Sequence, residues 1–166
     1  MVQLTTDQIG DLGELIAAAA LSRPVLGKYK RPLFKATHLG GKYKAVDFVV
    51  DVLGPNANSL GIFFVQVKST FAHVKHARSR LPVKVDLQKH NCMVRLPIPT
   101  YLIGVELRTE RAYIVSAFAP RQTQISSITR DYPLDCDQTR IKLYAELKSH
   151  WARAARKPSK TGFTDA

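Results

Sequence analysis

The sequence predicts an α/β (α+β) fold with a central mixed β-sheet flanked by helices, and three observations predict it. Two stretches rich in β-branched and aromatic residues, Ala45–Leu53 and Leu60–Thr70, are separated by the turn-forming Gly54-Pro55-Asn56-Ala57-Asn58-Ser59. A second such pair, Tyr101–Leu107 and Ala112–Phe118, is split by Arg108-Thr109-Glu110-Arg111. Helical periodicity appears near both ends of the chain, so the order is helix, strands, helix, strands, helix.

Taken in order, Thr5-x-x-Gln8 reads as a capping box that opens the first helix. Ile9, Leu12, Ile16 and Ala19/Ala20 recur at helical spacing and predict its buried face. Arg23-Pro24 ends it, because a residue before proline is pushed out of helical angles. A basic stretch follows and leads into Leu33–Leu39. The two central strands then form an antiparallel hairpin. Phe71–Pro82 reads as a polar, basic loop, and Asp86–Leu96 as a short helix. Residues 119–137 read as turns with an acidic patch at Asp131, Asp135 and Asp137. A last amphipathic helix, with Ile141, Tyr144, Leu147 and Trp151 on one face, runs to Arg156. At 166 residues, the expectation is a single domain over residues 1–156 with a flexible polar tail at 157–166.

Apolar residues make up 45% of the chain, as in ordinary globular proteins. Lys and Arg number 25 against 13 for Asp and Glu, a net charge of +12. That excess favours a polyanionic partner, nucleic acid above all, and salt-sensitive association with it. An anionic membrane surface would call for one amphipathic helix with a cationic face, whereas here the charge is spread over loops and strands. The longest near-apolar run, Leu15–Leu21, is far short of the ~18 residues a membrane span needs. It lacks the features of a signal peptide as well. Cys92 and Cys136 form no Cys-x-x-Cys, which fits a reducing compartment; a cytoplasmic location is the expectation.

The chemistry lies in the central hairpin. Side chains on a strand alternate faces, so Gln66 and Lys68 share one side while Val67 points into the core. In the preceding strand Asp47, Val49 and Asp51 share a face. A register that matches polar face to polar face brings Asp47, Gln66 and Lys68 together, and a slip by one residue would bury every polar group. Asp47 then offers a charged oxygen, Gln66 an amide oxygen and Val67 a backbone carbonyl. These are hard ligands suited to Mg²⁺ (or Mn²⁺), which keeps several waters and needs few side chains. Lys68 would orient the attacking water or offset charge in the transition state. Asp51 competes with Asp47, but the two lie ~13 Å apart along an ideal strand.

These residues resemble the PD-(D/E)XK nuclease superfamily, in which an acidic residue on one strand precedes (Asp/Glu)-x-Lys on the next. The closer resemblance is to an uncharacterised bacterial group within it, marked by Gly-Glu in the first helix, Asp in one strand and Gln-Val-Lys-Ser in the next. Here stand Gly13-Glu14, Asp47 and Gln66-Val67-Lys68-Ser69, with Leu96-Pro97-Ile98-Pro99-Thr100-Tyr101 and Arg111-Ala112-Tyr113-Ile114 downstream. The resemblance covers about residues 7–118 and implies a restriction-endonuclease-like core. It implies that Asp47 is a metal ligand, Gln66 fills the second acidic position, Lys68 is the catalytic lysine and Glu14 a supporting helix carboxylate. An amide at Gln66 removes one negative charge and weakens divalent binding. The activity implied is metal-dependent hydrolysis of DNA, more than RNA, in defence or repair, and many such nucleases act as homodimers.

Basic residues around the site are expected to contact nucleic acid: Lys28, Lys30, Arg31, Lys42, Lys44, Lys75, Arg78 and Arg80. Tyr29, Tyr43 and Phe71 offer faces for base stacking. His73-x-x-His76 lacks further Cys/His ligands at zinc spacing, and Gly40-Gly41-Lys42 lacks both the first glycine and the Ser/Thr of a phosphate loop. Two alternatives stay open: a non-catalytic nucleic-acid-binding module on the same fold, and a protein-interaction subunit of a larger bacterial complex.

Overall fold

The computed structural model describes residues 4–27, 29–40, 43, 45–72, 80–117 and 124–154. Helix α1 (Thr6–Ser22) opens with the expected capping box, Thr5 and Gln8 exchanging side-chain and backbone hydrogen bonds of 2.9 and 3.3 Å. Strands β1 (Phe34–His38), β2 (Phe48–Leu53) and β3 (Ser59–Thr70) form an antiparallel meander. Then come β4 (Arg80–Val85), α2 (Leu87–Val94), β5 (Thr100–Glu106), β6 (Arg111–Ser116), β7 (Ile125–Thr129) and α3 (Asp137–Ala154).

The main sheet has five strands in the order β1-β2-β3-β5-β6. Only β3 and β5 run parallel, joined by a crossover through β4 and α2; the sheet is mixed, as expected. Strands β4 and β7 pair antiparallel in a separate two-stranded sheet. Each face of the main sheet carries its own apolar cluster. On one face Ala17 and Leu21 of α1 and Leu143 and Leu147 of α3 pack on Val50, Phe63, Val65 and Ile103. On the other, Leu81, Val83 and Val85 of β4, Met93 of α2 and Ile128 of β7 cover Leu102. Strand β5 is buried along its whole length because both faces are covered.

Two expectations about elements fail. Arg80–Val85 is a strand where the end of the Phe71–Pro82 loop was expected, and Ile125–Thr129 is a strand within the expected turns. Pro82 lies on a two-stranded ribbon, where the missing N–H costs little, so proline does not exclude a strand here. Just past β7, Arg130 donates to the buried Glu106 carboxylate of β5 (2.7 Å) and to the Tyr113 hydroxyl (2.9 Å), tying the second layer to the sheet.

The helix faces agree with expectation at Ile9, Ile16 and Ala20 of α1 and at Ile141, Tyr144 and Leu147 of α3, which all pack on the core, and differ in the residues buried most deeply. In α1 the buried residues are Gly13, Ala17 and Leu21, while Leu12 is 39% exposed. The helix approaches β3 so closely that a Cβ on Gly13 would lie 1.8 Å from Ser69 Oγ and 2.8 Å from its Cβ. In α3 the inward face includes Arg140, whose guanidinium donates to the Leu134 carbonyl and pairs with Asp137. At the other end of α3, Trp151 Nε1 donates to the Ile62 carbonyl (2.9 Å) and the indole lies where a Cβ of Gly61 would be. Gly61 has φ +149°, so glycine is required there on both counts. The expected tail at 157–166 lies outside the described residues.

Candidate active site

The β2–β3 register sets Phe48 opposite Val65, which places Asp47, one residue before β2, opposite Gln66. The Asp47 backbone is held on both sides: its N–H donates to Val65 O (2.8 Å) and its carbonyl accepts from Leu39 N (2.9 Å). Beyond this point the ladder stops, and the Asp47 carboxylate takes its place, Oδ2 accepting the Val67 N–H at 2.6 Å. The carboxylate is thereby fixed against the backbone between Gln66 and Lys68. In an extended strand the N–H and C=O of one residue point to the same side, so the Val67 carbonyl faces the same space.

Gln66 was expected on a polar face, yet it is only 1% exposed, because β4, β7 and α2 cover that face too. Its Oε1 is buried with no hydrogen-bond partner among the described residues. An unsatisfied buried carbonyl costs about 1–3 kcal/mol, so a cation or donor at this point would be favourable. An amide oxygen, a carboxylate with one oxygen still available and a backbone carbonyl form an all-oxygen donor set, which fits a small hard divalent cation. With one formal charge the set is weak, and among the described residues no group of three His, Cys, Asp or Glu side chains is placed to hold a metal.

Lys68 is half-buried. Burial pushes its proton affinity down, Asp47 and Glu14 oppose that, and a second ammonium, Lys89 of α2, adds to it. Glu14 reaches the same neighbourhood from α1, whose close packing at Gly13 brings the next residue to the sheet. Burial, and then the Asp47 carboxylate, raise its pKa above the usual carboxylate range; His38 acts the other way. His38 Nε2 lies 2.8 Å from Glu14 Oε2, and its ring packs 5.3 Å from that of Phe48. Asp47, Gln66, Lys68 and Glu14 thus meet in one region, drawn from the sheet and α1.

Two residues of this region escape sequence reasoning. His38 ends β1 opposite Phe48, and only the β1–β2 register carries it to Asp47 and Glu14. Lys89 belongs to a helix remote in sequence. A basic residue in the first turn after the Asp86 cap is too common a pattern to have singled it out.

Other expected residues lie elsewhere. Asp51 accepts from Ser59 Oγ (2.9 Å) at the turn end of the hairpin, which removes it as a rival to Asp47. Lys30 and Arg31 do not rim the site: the chain enters β1 with Phe34 opposite Val52, five residues or roughly 17 Å from Asp47. Arg31 donates to the carbonyls of Leu53 (3.0 Å) and Pro32 (3.1 Å), and its guanidinium lies 6.0 Å from the rings of Tyr29 and Tyr144. Tyr29 itself packs edge-on to Tyr144. Tyr43 and Phe71 are exposed. Arg80 is exposed at the start of β4 and donates to the Ser127 hydroxyl and carbonyl. Lys28, Lys42, Lys44, Lys75 and Arg78, and the pair His73 and His76, lie outside the described residues.

No family model matches the sequence, and no curated protein matches it. Among solved structures, the chain is similar to a bacterial homing endonuclease, I-Ssp6803I, with a TM-score of 0.53 and 15% identity over 93% of this chain and 100% of that one. At that identity the likeness is one of fold: the mixed five-stranded sheet with its flanking helices is a nuclease-like fold. Among the described residues no helix is long and apolar enough to cross a membrane.

Proposed function

We propose that the chain is a metal-dependent nuclease of the PD-(D/E)XK type that hydrolyses phosphodiester bonds in DNA, with its site at Asp47, Gln66 and Lys68. The observation that carries this is the Asp47 carboxylate, locked on the Val67 N–H beside the unpartnered Gln66 Oε1 and next to a half-buried lysine. Asp47, Gln66 and the Val67 carbonyl would hold Mg²⁺ or Mn²⁺, which supplies charge neutralisation at the phosphate and a more acidic water. Lys68 offsets the negative charge that builds on the non-bridging oxygens as water attacks phosphorus and the P–O bond to the leaving oxygen breaks. Its lowered proton affinity also brings it closer to exchanging a proton with that water. Glu14 supports the site from α1, held in place by His38. The fold shared with a homing endonuclease and the charge of +12 support a nucleic-acid substrate.

The test is cleavage of supercoiled, linear and single-stranded DNA by the chain freed of nucleic acid, with Mg²⁺ or Mn²⁺, beside Asp47→Ala and Lys68→Ala. Metal-dependent cleavage lost in both variants is the expected result. A second reading, a binding module without catalysis, is favoured by one observation: Gln66 stands where a second carboxylate would strengthen metal binding. Intact DNA binding with no cleavage under any metal would establish it and end the nuclease reading.

A further inference from the structure

Among the described residues two flanks border Lys68, and their charges differ. From Leu4 to Ser22 the α1 flank carries Asp7, Asp11 and Glu14 and no Lys or Arg. The opposite flank, β4 and α2, carries Arg80, Lys84, Lys89 and Arg95, all exposed, against the single acid Asp86. The Asp86 carboxylate is engaged in capping α2, accepting from the N–H groups of Gln88 (2.9 Å) and Lys89 (3.1 Å).

Packing brings this basic flank to the site. Gly104 is the β5 partner of Lys68. A Cβ there would lie 2.5 Å from Ile128 Cδ1 and 2.9 Å from Leu81 Cδ2, so the β4–β7 ribbon seats on the sheet at the rung of Lys68. Alternation then turns Leu81, Val83 and Val85 inward and Arg80 and Lys84 outward. One residue after β4, α2 buries His90 and Met93 and leaves Lys89 exposed, close enough to Lys68 for the two ammonium groups to act on one another. Two neighbouring ammonium groups suit two successive phosphates of a polyanion.

We infer that the surface of β4 and α2 bearing Arg80, Lys84, Lys89 and Arg95 carries the DNA backbone beside the scissile bond, Lys89 taking the phosphate next to the one at Lys68. The inference rests on the nuclease reading of Asp47 and Lys68 and adds the direction from which substrate arrives. It assigns the backbone contact to residues other than Lys30 and Arg31, which precede β1 at the far end of the sheet.

The experiment is binding of a short labelled DNA duplex with chelator present, so that no cleavage occurs, over a range of salt concentrations. Native protein is compared with Lys84→Ala/Lys89→Ala, with Lys84→Arg/Lys89→Arg and with the charge-matched Lys35→Ala/Lys148→Ala. The alanine pair on the basic flank is expected to weaken binding about tenfold or more and to lower the slope of log K against log salt by about 2, since each phosphate contact contributes ~0.9. The arginine pair is expected to restore both, which separates lost charge from lost fold. Equal weakening by Lys35→Ala/Lys148→Ala, unchanged binding by Lys84→Ala/Lys89→Ala, or no DNA binding by native protein would each overturn the inference. Because the readout is binding without metal, a catalytically silent protein that passes this test would sink the nuclease reading and leave the surface standing.

Discussion

The sheet is covered by two layers that dock in similar ways and bring opposite charge. On one face α1 meets β3 through Gly13, against the polar Ser69; on the other, the β4–β7 ribbon fills the space above Gly104 of β5 with Ile128 and Leu81. The two contacts lie on neighbouring strands, next to and opposite Lys68. The first layer delivers Glu14, which meets His38 of the sheet's β1; the second delivers Lys89. Neither layer contains Asp47 or Lys68, which the sheet itself holds. On the proposed reading such an arrangement would separate roles: the sheet would fix the reacting groups, one cover would adjust them with an acid, and the other would present cations to a polyanion.

The largest expected effect comes from the sheet. Asp47→Asn keeps the size of the side chain but removes its charge, and cleavage is expected to fall by roughly 10²–10⁴, the range for an essential polar group at a reacting centre. Calorimetric titration with Mn²⁺ is expected to show the matching loss of binding. If cleavage survives, the site does not lie at Asp47.

Next come the two glycines, where the comparison can be broken directly. Gly104→Ala is expected to destabilise by about 1–3 kcal/mol, the usual cost of overpacking, because both atoms it meets belong to packed side chains. Gly13→Ala is expected to cost a similar amount, but Ser69→Gly in the same chain should recover most of it, since both close contacts are to the Ser69 side chain. Thermal unfolding measures both. DNA binding should suffer in Gly104→Ala and not in Gly13→Ala/Ser69→Gly.

His38 tests whether the acidic layer tunes the site. His38→Ala removes the partner of Glu14 at 2.8 Å and is expected to lower cleavage or Mn²⁺ affinity by about 10-fold, as for outer-shell groups at metal sites. His38→Gln, which keeps an N–H donor, should recover part of the loss. A purely structural role would give neither the metal-affinity change nor the recovery.

The smallest effect is in the pH dependence of stability, where Glu14 of α1 and Lys68 of the sheet pull in opposite directions. Glu14 has a raised pKa in the folded chain, so folding takes up a proton at that site, and its stabilising contribution is lost as pH rises from the ordinary 4.5 through the folded value. Lys68 has a lowered pKa, so its contribution is present above 10.5 and is lost as pH falls through the folded value. Glu14→Gln should flatten the acid-side slope and Lys68→Met the alkaline one. Denaturant midpoints across pH check each.

Much of the frame is legible in the sequence, and the reasons are local. The capping box at Thr5 and Gln8, the hairpin turn after Leu53 and the break at Arg108–Glu110 each act within a few residues, and the structure keeps them. The β2–β3 hairpin is legible from its turn, but face matching alone leaves Asp47 and Asp51 equivalent, and the choice of Asp47 rests on the family resemblance. What escapes depends on contacts distant in sequence. The buried face of α1 includes small residues, Gly13 and Ala17, beside Leu21, and Gly13 allows close approach to β3, while Leu12 and Leu15 stay exposed; a hydrophobic period reports size and polarity, not which neighbour is near. Strand β7, Ile-Ser-Ser-Ile-Thr, is too short and too polar to stand out, and β4 carries a proline. Gln66 looks like a surface residue until the ribbon covers it. The same non-local packing decides which basic residues flank the site, so Lys30 and Arg31 attract notice and Lys89 does not.

The seating of Trp151 over Gly61 equips the molecule with an optical reporter. It is the one tryptophan of the chain. Its indole sits six residues up β3 from Lys68, at Ile62, a separation of roughly 20 Å along an ideal strand. Its emission therefore reads the docking of α3 on the hairpin, not the arrival of a cation beside Asp47. Unfolding curves followed by fluorescence will register the far end of the sheet first, and a spectral change on adding divalent ions would mean that a signal has travelled the length of the strand.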